Sequence, residues 1–229
     1  MHPTRLLLFD IDGTLLTIEE ELAFADAFKE RLGIDPDLNW DRFKSNTDWG
    51  VAFELLQEHL GRTPDDAEVV DAVDLFVKFL REHMGSGRTP IVPTPGAGEF
   101  VRRAHREGHA LGLATGCVLD SARAKIEPMG LNPLFPVGGF GDRRFERAEL
   151  LRDALDAAQT HWNREFRPEQ VCYFGDRTWD IEAARALGLH FVGVAVTPEA
   201  RERLERAGAK RVIEDFAEIA APEVCFTLA

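Results

Sequence analysis

The sequence predicts an α/β protein whose parallel sheet is interrupted, after its first strand, by an all-helical insertion. Three observations carry that expectation. Leu6 to Phe9 is an unbroken apolar run ending at Asp10, the pattern of a strand buried on both faces. Residues 15–90 then show helical spacing with no clear strand. From residue 91 short apolar runs alternate with helical stretches, as in a parallel sheet covered by helices on both faces. The expected division is a core of residues 1–14 and 91–229 and a helical cap of residues 15–90.

In the insertion, Leu22, Ala25, Phe28 and Leu32 define a helical face from Glu19 to Leu32, with acidic residues in the first turn and Gly33 to end it. Residues 33–46 read as loop. Thr47 is placed to cap a helix running to Leu60, stopped by Gly61. Thr63, with Pro64 at the first helical position, opens another that carries Val69, Val73, Phe76, Val77 and Leu80 and breaks at Gly85-Ser86-Gly87. Beyond it, helices are expected over 96–107, 121–129, 147–158, 179–187 and 198–207. Strands are expected over 109–114, near Val137, and over 170–174, 191–196 and 211–213.

A chain of 229 residues suits a main domain carrying a smaller one, and 45% hydrophobic with 29% charged content is that of a folded globular protein. Its 27 basic and 40 acidic residues leave a net charge of −13, which argues against nucleic acid or an anionic membrane as partner. A small phosphorylated metabolite is compatible, since a metal and a few basic side chains attract it locally. Cys117, Cys172 and Cys225 form no paired motif, which suits a reducing compartment. Residues 1–5 precede only four apolar residues, too few for a signal peptide, and no run spans a bilayer, so the expected location is cytoplasmic.

Asp10 and Asp12 lie two apart at a strand tip, so an extended backbone puts both carboxylates on one face, and Gly13 lets the chain turn away. Like charges that close repel. A hard divalent cation such as Mg²⁺, which prefers oxygen ligands, makes the pair favourable. Thr115-Gly116 ends another strand, where a hydroxyl and a backbone N–H are able to donate to a phosphate oxygen. A third apolar strand runs into Gly175-Asp176, with Asp180 four residues on, near a helix start that favours a carboxylate. In open α/β sheets ligands bind beyond the carboxyl ends of the strands.

Asp-x-Asp-Gly-Thr, a strand-end Thr, and Gly-Asp-x-x-x-Asp, in that order, resemble the first, second and fourth motifs of the haloacid dehalogenase-like superfamily of phosphatases and phosphotransferases. The resemblance covers the whole chain and implies a Rossmann-like core of the phosphatase branch with a helical cap. It implies that Asp10 attacks phosphorus to form an aspartyl-phosphate, and that Asp12 is general acid and then general base. It makes Asp10, Asp12 and Asp176 the Mg²⁺ contacts, with Asp180 orienting that site or holding a basic residue. Thr115, Gly116 and a third-motif lysine would bind the phosphoryl group. Here the chain departs from the family pattern: the expected place holds Arg143, Arg144 and Arg147 and no lysine. Arg147 is the preferred substitute and Lys125 its competitor. In the insertion, Arg42, Lys44, Asn46 and Asp48 form a polar stretch suited to reading the leaving group, with Lys44 the chosen substrate contact, and the insertion itself reads as a lid. A sugar-phosphate mutase would share all these residues. A phosphonate hydrolase would need a lid lysine (Lys29, Lys44 or Lys78), a non-catalytic phospho-aspartate switch would turn over slowly, and an acid at Asp12 disfavours dehalogenation.

Overall fold

A computed structural model of the chain describes residues 5–226; residues 1–4, read above as no leader, lie outside the described residues. Strand β1 (Leu6–Phe9) is followed by the two-residue β2 (Leu16–Thr17) and by helices α1 (Glu21–Leu32), α2 (Asp48–Leu60) and α3 (Asp66–Ser86). Then come β3 (Val92–Pro93), α4 (Ala97–Arg106), β4 (Ala110–Ala114), α5 (Leu119–Ile126), β5 (Val137–Gly139) and α6 (Arg147–Trp162). The chain ends with β6 (Val171–Gly175), α7 (Thr178–Ala186), β7 (His190–Val194), α8 (Pro198–Arg206) and β8 (Val212–Ile213).

Six of these strands form one parallel sheet in the order β5-β4-β1-β6-β7-β8. This is the expected Rossmann-like α/β fold. All four residues of β1 are fully buried, each such side chain being worth roughly 1.5–3 kcal/mol of hydrophobic stabilisation. Phe9 stacks on Phe174 with centroids 4.7 Å apart and meets Phe100 and Phe135 edge-on, so the central strand is locked from one face by aromatic packing. Leu6 and Leu8 point the other way, into a second cluster with Tyr173 and Leu151. After β1 the chain leaves toward β4 on one side and later returns to β6 on the other. The reversal of strand order beside β1 opens the crevice where such sheets bind ligands.

Helices α1 to α3 bury a cluster of their own, in which Phe24 stacks on Phe76 at 3.9 Å. Their ends follow local chemistry. Thr47 accepts from Gly50 N at 3.0 Å as expected, and Gly33 and Gly61 take the left-handed conformation that closes α1 and α2. For α3 the cap is Asp65, not Thr63: Asp65 and Glu68 form a reciprocal capping box, and the helix runs through Gly85 and Ser86 to a left-handed Gly87. Helix α6 continues a turn past Ala158, because Trp162 packs against Phe166 under the sheet. The sequence also gave no sign of the antiparallel pair β2–β3, which is too short for any periodicity to register. Leu15 and Leu16, grouped above with the insertion, pack in the core of the sheet.

Candidate active site

Three neighbouring strand ends build the site. Phe9 lies level with Leu113 of β4 and Phe174 of β6, so Asp10, Thr115 and Asp176 emerge side by side at the carboxyl edge. Asp10 N donates to Phe174 O at 2.9 Å, which extends the ladder to the reactive position itself. Gly13 then turns the chain at φ +74°, and a Cβ there would lie 2.3 Å from Asp176 Oδ2. Glycine alone allows both the turn and the approach of that carboxylate.

Asp10 is buried and hydrogen-bonded by the Thr115 side chain. Arg147, the first residue of α6, reaches Asp10 Oδ1 through Nη1 at 3.4 Å and Asp180 Oδ1 through Nε at 3.1 Å. Asp180 is itself fully buried, accepting from Tyr173 OH at 2.9 Å and from Arg177 N at 3.1 Å. The charge of Asp180, with no hydrogen bond at Nε, thus holds the guanidinium from behind while Nη1 donates to Asp10. Burial pushes the Asp10 carboxyl up to about 7; Arg147 opposes the rise, while Asp180 and Asp12 add to it. Burial would loosen the proton on Arg147, yet the charges of Asp10 and Asp180 outweigh it and hold the guanidinium above its usual range. Burial also lifts Asp176 well above the carboxylate range, against the pull of Arg177, whose Nε lies 2.9 Å from Oδ2.

Asp10, Asp176 and Asp180 each offer an oxygen within 4.8 Å of the others. Asp180 is fully engaged, whereas Asp176 Oδ1 is buried without a hydrogen-bond partner. Asp10 and Asp176, whose protons are held by burial and like charge and one of which has an orphaned oxygen, fit a hard divalent cation. Asp10 and Asp176 are the residues free to hold it. Asp12 falls outside that group: its Oδ2 receives Lys125 Nζ at 2.7 Å and Cys117 Sγ at 3.0 Å, and its Oδ1 is buried without a partner. Of residues 10, 12 and 176, expected to form one oxygen cage, the structure brings the carboxylates of 10 and 176 together and turns that of Asp12 toward a lysine.

That lysine is the competitor considered for the third motif. Lys125 is fully buried, also pairs with Glu20, and is not among the residues that line the cavity over the site, whereas Arg147 is. Burial would strip its proton, but Asp12, Cys117 and Glu20 hold it, so Lys125 stays an ammonium. Glu20 and this pairing escaped the sequence reading. The available signal was a lysine set among the small and apolar residues Ala122, Ala124 and Ile126.

The cavity, about 260 Å³, is walled by Asp10, Asp12, Thr115, Gly116, Arg147 and Asp176 below and by Trp40, Phe43, Lys44 and Asn46 above. The polar stretch docks on the loops after β4 and β5. Thr47 Oγ1 donates to Arg144 O at 2.7 Å, and Asp48 N to Gly116 O at 2.9 Å. Asp48 Oδ2 accepts from Val118 N at 2.9 Å and Ser121 Oγ at 2.6 Å, capping α5 from across the cleft. A Cβ on Gly116 would lie 2.3 Å from Asn46 O, so glycine is what allows this closeness. Lys44, Asn46 and Asp48 line the cavity as expected of that stretch, but Arg42 pairs with Glu58 at 2.7 Å instead. Lys29 and Lys78 pair with Asp35 and Glu30 away from the cavity, and Arg143 and Arg144 pair with Asp66 and Asp153. Trp179 and Arg177 are further lining residues that the sequence did not mark.

The fold and this arrangement of strand-end carboxylates define a hydrolase class, and the family comparison agrees: the model of the haloacid dehalogenase-like hydrolases matches residues 4–188, and the chain belongs to that family. Among curated proteins it is similar to a phosphoglycolate phosphatase of Synechococcus elongatus, 26% identical over 195 residues and 84% of each chain. It is also similar to protein CbbY of Rhodobacter capsulatus, 27% identical over 200 residues, with 82% of this chain and 84% of that one covered. Among solved structures, CbbY from Rhodobacter sphaeroides in complex with phosphate superposes with a TM-score of 0.76 at 23% identity, covering 98% of this chain and 100% of that one. A mutant of the same protein was solved with xylulose-(1,5)-bisphosphate.

Proposed function

We propose that the chain is a Mg²⁺-dependent phosphomonoester hydrolase that acts on a small phosphorylated metabolite through an aspartyl-phosphate on Asp10. One observation carries this reading: a buried carboxylate, Asp10, faces a shared cavity together with a pinned guanidinium, a strand-end hydroxyl and a second acidic group with an orphaned oxygen. The phosphatase and CbbY relatives support it.

An Asp10 oxygen attacks phosphorus as the ester P–O bond breaks, and Asp12 gives its proton to the departing oxygen, releasing an alcohol. Water then attacks phosphorus, loses a proton to Asp12, and frees Asp10 and inorganic phosphate. Arg147, the Thr115 hydroxyl and the Gly116 N–H take the charge on the phosphoryl oxygens, and Asp180 with Tyr173 keeps Arg147 aimed. When bound between Asp10 and Asp176, Mg²⁺ would neutralise these carboxylates and the phosphoryl charge. The helical insertion, expected over residues 15–90 but without Leu15 and Leu16, which pack with the sheet, acts as a lid on the rest of the chain; it excludes water and reads the substrate through Lys44, supported by Trp40 and Phe43. Among the described residues no helix is long and apolar enough to cross a membrane, and the free thiols Cys117, Cys172 and Cys225 support a reducing, cytoplasmic setting.

A screen of phosphorylated metabolites with Mg²⁺, run beside Asp10→Asn, tests the reading. Free phosphate released by the wild type and lost in the variant is expected. An isomerised sugar phosphate with no free phosphate would make the chain a mutase, and activity surviving in Asp10→Asn would remove the nucleophile assigned here.

A further inference from the structure

Lys125 is the one fully buried cation among the described residues whose partners include the acid/base, and phosphoryl binding leaves it without a task. Its ammonium donates to Asp12 Oδ2 at 2.7 Å and to Cys117 Sγ at 3.2 Å, and it pairs with Glu20. Cys117 Sγ reaches the same Asp12 oxygen at 3.0 Å. The ammonium thereby joins the turn after β1, the loop after β4 and the segment that leads from β2 into α1. Burying a charge is costly unless it is paired and hydrogen-bonded, and here the pairing falls on the residue that must hold one orientation for proton transfer. Lys125 does not line the cavity, so any effect on a substrate passes through its partners Asp12, Cys117 and Glu20, which do, and of these Asp12 is the assigned acid/base.

We propose that Lys125, anchored by Glu20, is the positioning residue that holds the Asp12 carboxylate in line with the leaving oxygen. This rests on the phosphatase reading of the site. The ammonium keeps all its protons throughout: the ester P–O bond breaks, the bond from phosphorus to Asp10 forms, and the proton that reaches the leaving oxygen comes from Asp12. An arrangement that is purely structural would serve every substrate alike. A positioning role serves only those whose leaving group needs a proton.

The test compares an alkyl phosphate, taken from the metabolite screen, with p-nitrophenyl phosphate, whose phenolate departs without one. Pre-steady-state release of each leaving group is followed in wild type, Asp12→Asn, Lys125→Met and Glu20→Gln. In Lys125→Met, alcohol release is expected to fall about a hundredfold or more, the size of a lost general acid, while the p-nitrophenolate burst changes less than tenfold. Glu20→Gln shows the same split at smaller size, and it decides the matter if Lys125→Met does not fold. Equal losses on both esters in the folded variants, or no loss on either, would overturn the proposal. Should the wild type show no Asp10-dependent phosphatase activity, or Asp12→Asn no split, the reading of the site fails first and this proposal falls with it.

Discussion

At the scale of single residues, the site is governed by what burial does to charge. Asp10 has its carboxyl raised from 3.8 to about 7, chiefly by burial. Below pH 4 folded and unfolded chains both hold this proton, between about 4 and 7 the folded chain alone does, and above 7 neither does. The metal-free protein should therefore lose stability as pH rises from 4 to 7. Melting curves are expected to show wild type dropping several degrees more than Asp10→Asn over that range, and parallel curves would contradict the assignment. Mg²⁺ needs the deprotonated carboxylate, so its affinity should climb through the same window. Arg147 carries two contacts with one fork, to Asp10 and to Asp180, which a lysine cannot reproduce. Arg147→Ala is expected to lower kcat by about 10² to 10³, and Arg147→Lys by less but still measurably; an unchanged kcat in either would remove it from phosphoryl binding.

At the scale of elements, strand ends and caps decide what can face the cavity. The turn after β1 exists because Gly13 takes φ +74° under the Asp176 carboxylate. Gly13→Ala should cost about 1–3 kcal/mol from the backbone alone and displace Asp176, seen as a lower melting temperature with weakened Mg²⁺ binding in calorimetry. A variant matching wild type in both would show that the close approach is dispensable. Asp48 opens α2 yet caps α5, so Asp48→Ala leaves Val118 N without its acceptor and Ser121 Oγ with Val118 O in place of the shorter bond. The expected cost is about 1–3 kcal/mol together with a raised KM, because the polar stretch loses a hold on the sheet edge. A fall in stability with KM unchanged would confine Asp48 to a structural part. The long periodic elements were legible in the sequence because apolar spacing repeats over several turns, and the Thr47, Gly33 and Gly61 ends because local caps need no tertiary information. The start of α3 was misread because two caps competed, Thr63-Pro64 and Asp65 with Glu68, and the reciprocal box prevailed. The β2–β3 pair is two residues per strand, below any pattern.

At the scale of the molecule, a parallel sheet brings together residues more than a hundred positions apart. Asp10, Thr115 and Asp176 were readable as neighbours from their places at strand ends, because topology alone delivers those ends to one edge, whereas Arg147 was singled out by the family resemblance. The partners of Asp12 were not readable. Lys125 meets it, and Glu20 meets Lys125, only through packing of α5 against the segment before α1, and no spacing rule encodes that. Inside the cleft Arg147, Lys44 and Arg177 face six carboxylates, Asp10, Asp12, Glu20, Glu21, Asp48 and Asp176, so a small anion would need a bound divalent cation beside those three side chains to be drawn there. The account stands on Asp10 becoming phosphorylated. Acid-quenched single-turnover reactions with a phosphate ester and Mg²⁺, followed by peptide mass spectrometry, measure this directly. A transient phosphoryl group on the peptide containing Asp10, labile to hydroxylamine and absent in Asp10→Asn, is the predicted result; turnover with no label there, or with label on another residue, would contradict it.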